Sequence, residues 1–577
     1  MIRDEIVELL KKTLRDIPKL PYELIEPFVS VETPKESSNG DYSSNIAMIA
    51  FRKKSDITKT HVPGGKKEGS IWATPGGTFE SPLQLAEKIV SIINAKYPAQ
   101  NTFSRVEAVK PGFINFYLSQ RYLHQQVKEV MEKGSSYGSL SIGKGKNASV
   151  EYVSANPTGP LHIGNARGGP LGDVIANVLE KAGYKVTREY LHNNVGGQVA
   201  RLGDAIYFTL NPEQKGEGYE MQYQGEYIKE LAQMVEEEME EEQYENLSQS
   251  DFIDKAGEIA VEIMLSQILK DCQDMGIKYD IIKSESELRK EAEKVIKELG
   301  SKKKIKEKEG ALWFAPNDEF LKDRETVVKK SDGEFTYFAS DIVYHKEKFQ
   351  REDLVVDILG ANHSGHVPRL MAVVKALGFD TEKFKVILYQ YVRLKRGSEI
   401  VKMSKRAGNF VTAREVLDEV GKDAFRFFLL RSSPETHMDF DLKLAKKQAS
   451  DNPVFYVQYA YSRICSIFSK ADGYRAQITG VSEKELALLT DPEEIALMRQ
   501  LIKFPFMVED ISKTFAVNLF TNYAMEIANS FHKFYEAQRV ISEDKNKTSA
   551  RLALLEATRV TLKNTLDILG VSAPERM

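Results

Sequence analysis

The chain has 577 residues, which is too long for one hydrophobic core and favours three or four domains. Its formal net charge of −4 excludes a protein that binds nucleic acid through an overall excess of basic residues, so such contacts would need local patches. Cys272 and Cys465 are far apart and have no neighbouring histidines, which argues against a disulfide framework or a cysteine zinc site, and we expect both to be buried.

The first 120 residues predict a small α+β domain. An amphipathic helix begins at Ile2, and residues 112–118 have the composition of a strand. Residues 61–77 are rich in Gly, Lys and Thr without any period, and this pattern predicts an exposed loop. Residues 121–147 are predicted to form a linker, and a helix is predicted over residues 120–133.

Residues 148–420 predict a Rossmann-like domain. Residues 148–153, 163–182 and 184–191 follow the order strand, helix, strand, which is one βαβ unit of a parallel sheet. A charge-rich helical insertion at about 200–308 interrupts the domain. Further strands are predicted at 311–314, 335–338 and 353–359, where we expect the second half of the same sheet. Ligands of such folds bind beyond the carboxyl ends of the strands.

The rest of the chain predicts a connecting stem at 421–452 and helices at 453–577, where apolar residues recur with helical spacing. The predicted fold class is multidomain α/β. It comprises a Rossmann-like parallel-sheet domain, an N-terminal α+β domain and a C-terminal all-α helical bundle.

Two short strings predict a nucleotide site assembled from distant loops. His162-Ile163-Gly164-Asn165 follows a strand and opens a helical stretch, where unpaired backbone N–H groups suit a phosphate chain. Lys402-Met403-Ser404-Lys405 adds two ammonium groups on a loop flanked by glycines. Taken singly, the strings also fit a turn histidine and a solvated loop. Together and in this order they resemble the two signature motifs of class I aminoacyl-tRNA synthetases.

This resemblance implies an ATP site at which the amino-acid carboxylate attacks the α-phosphate and pyrophosphate leaves. We expect catalytic roles for His162, Asn165, Lys402 and Lys405, and further ATP contacts from Gly164, His366, Met403 and Ser404. The class pattern has histidine where this chain has Asn165, but an amide can still donate and accept. Mg²⁺ is expected to enter with ATP. No structural metal is predicted, because His363 and His366 lack a third ligand of suitable spacing.

A tighter resemblance, to the arginyl-tRNA synthetases, covers most of the chain outside the insertions. It lies in residues 151–169, 336–341, 360–366 and 401–409 and in the C-terminal helices. It implies an arginine site formed by Glu151, Asn156, Tyr337, Asp341 and His363. Two carboxylates, Glu151 and Asp341, match the planar fork of a guanidinium, and we expect both at strand ends. Surface carboxylates and a core tyrosine are the alternatives. Asn194 stands where the family usually has Asp.

The same resemblance implies contacts with tRNA at both ends of the chain. In the N-terminal domain, Phe113 and Asn115 lie where the family recognises a base, and a ring with an amide suits an unpaired base. A core role is the alternative for Phe113. In the C-terminal bundle, Tyr461 lies on the apolar stripe and Tyr459 and Arg463 lie on a different face. Met577 ends the chain near the expected anticodon site.

The resemblance thus implies a class I arginine–tRNA ligase that forms arginyl adenylate and transfers arginine to the 2′-OH of the terminal adenosine of tRNA(Arg). The resemblance implies that activation can require tRNA. A class I synthetase for another amino acid, a small-molecule adenylate-forming ligase and a catalytically silent tRNA-binding paralogue remain alternatives. Because no apolar run approaches the roughly 20 residues of a membrane helix, we expect a cytoplasmic protein, and we expect a monomer.

Overall fold

The computed structural model describes residues 1–577 except 19, 21, 35, 52–78, 98–100, 217, 242–246, 323, 402–410 and 472–479. The predicted loop at 61–77 and the string Lys402–Lys405 therefore lie outside the described residues. The chain forms two compact units. The first comprises Met1–Gly134, Lys470–Lys503 and Ser530–Val560, and the second Ser135–Ser469, Phe504–Asn529 and Thr561–Met577. No described helix is both long and apolar enough to cross a membrane.

The first unit begins with the α+β arrangement that the sequence predicts. Its elements up to residue 134 are α1 (Ile2–Arg15), α2 (Tyr22–Ile25), β1 (Tyr42–Ser44), α3 (Ile46–Ile49), α4 (Pro82–Lys96), β2 (Phe103–Val109), β3 (Phe113–Leu118) and α5 (Gln120–Lys133). The strands pair antiparallel in the order β1-β3-β2. Helix α1 buries Ile6, Leu10 and Leu14 because residues three or four apart share one helix face.

The second unit is built on a five-stranded parallel sheet. Its elements up to residue 301 are β4 (Asn147–Glu151), α6 (Ile163–Ala166), α7 (Gly168–Lys181), β5 (Lys185–His192), α8 (Gly197–Leu210), α9 (Glu226–Glu241), α10 (Gln249–Asp274), β6 (Ile281–Ser284) and α11 (Glu285–Ser301). Those from 302 to 452 are β7 (Ile305–Lys308), β8 (Ala311–Phe314), β9 (Thr326–Lys329), α12 (Tyr337–Arg351), β10 (Leu354–Gly360), α13 (Val367–Leu377), β11 (Phe384–Tyr389), β12 (Val392–Arg396), β13 (Glu399–Ile400), α14 (Ala413–Val420), α15 (Lys422–Leu430), β14 (Met438–Asp441) and α16 (Leu442–Ala445).

The order of the parallel sheet, β11-β10-β4-β5-β6, determines where a ligand can enter. From β4 the chain adds β5 and β6 on one side of the sheet, and it later adds β10 and β11 on the other. The direction of winding therefore reverses between β4 and β10, and such a switch point opens a crevice at the carboxyl ends of the strands. In this pair Asp357 of β10 lies in register with Glu151 of β4.

Three predictions for this unit are wrong. Residues 335–338 are not a strand, because α12 begins at Tyr337, and the buried side chains of Phe338 and Ile342 follow helical spacing. The helical insertion contains β6, a four-residue strand that joins the parallel sheet beside β5 and is too short to stand out between charged helices. Strand β8 exists, but it pairs antiparallel with β7 and β9 in a separate sheet.

The described residues after 452 are helical where they are regular, in agreement with the predicted all-α bundle. The helices are α17 (Pro453–Lys470), α18 (Glu483–Leu486), α19 (Pro492–Leu501), α20 (Phe504–Thr514), α21 (Asn518–Ala537) and α22 (Lys545–Leu569). The domain boundaries given above stay a prediction. Of the two cysteines, Cys272 is buried as expected, whereas Cys465 is only partly buried.

Candidate active site

A cavity opens beyond the carboxyl ends of β4, β5 and β10. It has a volume of about 1010 Å³, and its wall also includes the first turn of α12. Ligand pockets usually span about 300–1,000 Å³, so this cavity is large enough for a nucleotide beside an amino acid. Eight residues predicted for the site line it, namely Glu151, Asn156, His162, Asn165, Tyr337, Asp341, His363 and His366.

The loop after β4 turns sharply at the edge of the cavity. Val153 and Ser154 have positive φ angles of 67° and 38°, which are unfavourable for non-glycine residues and above all for β-branched valine. The Ser154 hydroxyl donates to the Glu151 carboxylate at 2.8 Å and accepts from Leu191 N at 3.1 Å. The strained turn therefore fastens Glu151, the last residue of β4, to the neighbouring strand.

His162 is the N-cap residue of α6. Its Nδ1 accepts a hydrogen bond from Gly164 N at 2.9 Å, so in the neutral ring the proton is on Nε2. A Cβ atom at Gly164 would lie 3.0 Å from Nδ1, closer than such contacts normally come. The side chain of Asn165 is exposed and lines the cavity. The glycine thus allows His162 to cap the helix while its second ring nitrogen remains a donor.

The second string, Lys402–Lys405, lies outside the described residues, but the residues that follow it are anchored at the site. Ile163 N donates to Val411 O at 3.4 Å, and Ala413 N donates to Leu161 O at 2.7 Å. Residues 411–413 therefore lie directly beside the histidine string.

Glu151 is 6 % exposed and makes an ion pair with Lys348, an ammonium with no exposed surface. Burial raises the pKa of Glu151, and the positive charge of Lys348 is the largest opposing effect. The position of Glu151 agrees with the prediction of a strand-end carboxylate.

Asp341 does not follow a strand, which corrects the expectation for this residue. It lies in the first turns of α12, because the chain from Tyr337 onward is helical. Asp341 Oδ2 is 2.9 Å from His366 Nε2, so a residue predicted for arginine and one predicted for ATP contact each other. Tyr337 is 46 % exposed and is not a core aromatic. His363 lies in the same loop as His366.

The structure adds two residues that the sequence did not indicate. Glu285 is 5 % exposed and lines the cavity, where it accepts from Arg289 at 2.8 Å and from Ser340 at 3.5 Å. Burial raises its pKa against the effect of Arg289. Asn193 is 7 % exposed and also lines the cavity. The signal for Glu285 was a serine followed by acidic residues, which is a typical helix start.

Asn194 and Asn156 hold loops at the rim of the cavity. Asn194 Nδ2 donates to Ser286 Oγ at 2.9 Å, and Asn194 Oδ1 accepts from Ser286 N at 3.1 Å. An aspartate could not donate in this way, so the amide suits its position here. Asn156 Nδ2 donates to Gln198 Oε1 at 3.0 Å and links the loop after β4 to α8. Among the described side chains, no group of three His, Cys, Asp or Glu could coordinate a metal ion.

Three family models match the chain in sequence. They are described as "Arginyl tRNA synthetase N terminal domain" at residues 2–118, "tRNA synthetases class I (R), catalytic domain" at 126–438 and "DALR anticodon binding domain" at 457–577. A protein named arginine–tRNA ligase from Caldanaerobacter subterraneus subsp. tengcongensis is 39% identical and covers 100% of this chain and 99% of its own length. The chain belongs to the arginyl-tRNA synthetase family. It is an arginine–tRNA ligase of class I.

Solved structures agree with this assignment to the arginyl-tRNA synthetases. A putative arginyl-tRNA synthetase from Campylobacter jejuni is 32% identical and superposes with a TM-score of 0.71, covering 80% of this chain and 100% of its own. The arginyl-tRNA synthetase of Thermus thermophilus is 20% identical, with a TM-score of 0.75 and 100% of both chains covered, which shows a common fold.

In the N-terminal part of the synthetase, the two residues predicted to contact tRNA differ in exposure. Phe113 is 38 % exposed, which agrees less well with the core alternative. Asn115 is 3 % exposed, and its Oδ1 accepts from Ser43 Oγ at 2.7 Å across β1 and β3. The amide of Asn115 is therefore engaged within the sheet, and Phe113 presents the accessible surface.

In helix α17 of the synthetase, Tyr459 is 39 % exposed and Tyr461 is buried, as the apolar stripe predicts. The guanidinium of Arg463 lies 5.8 Å from the centre of the Tyr459 ring. Ser462 Oγ donates to Pro574 O at 2.6 Å, which fastens the C-terminal segment to α17, and Met577 is exposed. Helix α17 therefore presents the exposed ring of Tyr459 with the Arg463 cation beside it.

Proposed function

We propose that the cavity binds ATP and arginine together and forms arginyl adenylate before the arginyl group passes to tRNA. In the first step the arginine carboxylate attacks the α-phosphate, an oxygen–phosphorus bond forms, and pyrophosphate leaves. In the second step the 2′-OH of the terminal adenosine of tRNA(Arg) attacks the adenylate carbonyl, and AMP leaves. The observation that carries the proposal is that eight residues predicted from separate segments line one cavity at the switch point of the sheet.

The ATP half of the site would use the two strings. His162 donates from Nε2 to the phosphates, since its Nδ1 is occupied by Gly164 N. Gly164 is buried and its N–H is bonded to His162 Nδ1, but it carries no side chain that would keep the nucleotide from the backbone, and the exposed Asn165 adds an amide. The leaving pyrophosphate is neutralised by Lys402 and Lys405. Further ATP contacts come from Met403, Ser404 and His366. Mg²⁺ enters with ATP and binds mainly to its phosphates.

The arginine half would use carboxylates because a guanidinium offers only donors. Glu151 and Asp341 accept from it, and Tyr337, half exposed at the start of α12, closes over it. Asn156 and His363 contact the α-amino and carboxylate ends of the substrate. A lysine or leucine substrate would leave at least one of the two carboxylates without a matching donor.

tRNA would contact both ends of the chain. Phe113 stacks on an unpaired base, with Asn115 supporting the strand beneath it, and Tyr459 and Arg463 contact anticodon bases near Met577. We also propose that the enzyme is a monomer and that it works in the cytoplasm. Light scattering tests the first point, because a mass twice that of one chain would contradict it, and cell fractionation tests the second.

Pyrophosphate exchange tests the proposed function. Each amino acid is supplied separately with ATP and Mg²⁺, in the presence and absence of tRNA(Arg). We expect exchange with arginine and with no other amino acid. The comparison with and without tRNA(Arg) shows whether activation of arginine requires tRNA. Exchange with leucine or glutamate but not arginine would refute the specificity. No exchange with any amino acid in the presence of tRNA would indicate a silent tRNA-binding paralogue.

A further inference from the structure

Three buried carboxylates lie side by side on the parallel sheet, and two of them, Glu151 and Asp357, line the cavity. Glu189 of β5, Glu151 of β4 and Asp357 of β10 are register neighbours on adjacent strands, and they are 0 %, 6 % and 2 % exposed. Like charges directly opposite each other destabilise a sheet, and each buried charge carries a desolvation cost. These three carboxylates, the carboxylate row, therefore require cations or hydrogen-bond donors from an element packed against the sheet.

Helix α12 supplies that compensation from one face. Lys348 Nζ donates to Asp357 Oδ1 at 2.8 Å and to Glu151, and it lies 4.1 Å from the ring centre of Tyr344. The hydroxyl of Tyr344 donates to Glu189 at 2.7 Å, and Arg351 also pairs with Glu189. Glu189 thus has partners of its own, whereas Glu151 and Asp357 share Lys348.

His345 completes the group. Its Nδ1 is 2.8 Å from Asp341 O and its Nε2 is 2.9 Å from Asp357 Oδ2. Both partners are acceptors, so a doubly protonated ring satisfies both contacts. Burial alone would lower the pKa of His345. Its pKa is nevertheless raised, because Asp357 accepts its hydrogen bond and carries negative charge. Against the effect of burial, Lys348 and His345 also lower the pKa of Asp357. Asp357 is therefore the firmly ionised member that anchors both cations.

This arrangement links the two carboxylates assigned to arginine. Asp341 is on α12 and Glu151 is on β4, and the Lys348 contacts join this helix to this strand. We propose that Lys348, anchored by Asp357, is a positioning residue for arginine recognition: it holds the Glu151 carboxylate at a fixed place relative to Asp341 and supplies its counter-charge. The inference rests on the proposed role of Glu151. A purely structural helix–sheet contact could be made by apolar residues of similar size at lower desolvation cost.

The test begins with Lys348→Met in pyrophosphate exchange with tRNA present. We expect the arginine KM to rise at least about tenfold, while the ATP KM changes less than about twofold. Without Lys348 the buried Glu151 would ionise only at higher pH, because the negative charges of Asp357 and Glu189 remain beside it. Two other cations on α12, His345 and Arg351, pair with Asp357 and Glu189 instead. The arginine KM of Lys348→Met should therefore fall more steeply between about pH 6 and pH 9 than that of the unsubstituted chain.

Two comparisons separate positioning from general damage. Lys346→Met makes the same change on the same helix, at a lysine that pairs with Glu298 outside the cavity, and should leave the arginine KM unchanged. In a Glu151→Gln background, Lys348→Met should raise the arginine KM no further, because Lys348 acts through Glu151. Additive effects of the two substitutions, a parallel rise in the ATP KM or an unchanged pH slope would overturn the inference.

If Lys348→Met does not fold, as judged by circular dichroism, Lys348→Gln and Lys348→Arg answer the same question. Lys348→Gln keeps a hydrogen-bond donor but removes the charge, and it should raise the arginine KM and steepen its pH dependence. Lys348→Arg keeps the charge and should retain the pH profile. Normal arginine kinetics in Lys348→Gln would overturn the inference. An unchanged arginine KM in Glu151→Gln alone would instead remove Glu151 from the proposed arginine site, which is a separate failure.

Discussion

Replacement of Asp341 by asparagine should weaken arginine binding without weakening ATP binding. His366 Nε2 lies 2.9 Å from Asp341 Oδ2, and an asparagine oxygen at this position can also accept a hydrogen bond from it. The substitution therefore keeps the loop in place and removes mainly the negative charge. A hydrogen bond to a charged group is worth about 1.5–3 kcal/mol, which corresponds to about a 10- to 150-fold rise in the arginine KM. The side chain is 22% exposed, so solvent screening favours the lower part of this range.

Pyrophosphate exchange at varied arginine and varied ATP measures the two KM values separately. Asp353→Asn is the matched control, because Asp353 Oδ2 accepts from Asn147 N at the amino ends of the strands, opposite the cavity. We expect the control to keep both values within about twofold. An unchanged arginine KM in Asp341→Asn, or an equal rise in the ATP KM, would refute the assignment of Asp341 to the arginine guanidinium.

Three further predictions concern the other parts of the enzyme. His162→Ala should lower kcat of exchange by about 10²- to 10³-fold with little change in the arginine KM, because a donor to developing phosphate charge is removed; equal losses in kcat and in arginine affinity would contradict this. Tyr459→Ala should raise the tRNA KM by about 5- to 150-fold, the worth of one base stack, whereas Tyr459→Phe keeps the ring and should not; tRNA charging kinetics measure both. His345 holds its proton more tightly when folded, so its contribution to stability is present below the ordinary histidine pKa of about 6.5 and is lost as pH rises through the higher folded value. Urea midpoints measured against pH should show this loss, and His345→Gln should abolish it; the same pH dependence in both proteins would exclude His345 as its source.

Much of the fold follows from periodicity. Helix α5 is predicted over the residues at which it is found, because its buried positions share one face and Ser119 caps it by accepting from Tyr122 N. The apolar run of β10 likewise identifies a central strand. Strand β6 and the start of α12 were missed because a window of four residues does not distinguish a strand from a helix when the deciding contacts are distant in sequence.

Site residues that lie in a sequence motif could be predicted. Residues that reach the site only through a tertiary contact could not. Glu151 ends a buried strand and His162 lies in the motif that follows it, and the structure places both at the cavity. Lys348 resembles any charged residue of a surface helix, and its contact with Glu151 spans 197 residues of sequence. The one available signal was Asp357, an isolated acid inside an otherwise apolar strand. A buried carboxylate of this kind predicts a cationic side chain beside it, but it does not predict which residue supplies that side chain.

A crystal structure of the enzyme with arginine bound tests the central claim most directly. The account predicts that the guanidinium lies between Glu151 and Asp341, with nitrogen–oxygen distances of about 2.7–2.9 Å to both carboxylates, and with the Lys348 contact to Glu151 retained. A guanidinium bound elsewhere in the cavity, for instance against Glu285 with Glu151 and Asp341 untouched, would contradict the assignment of the arginine site.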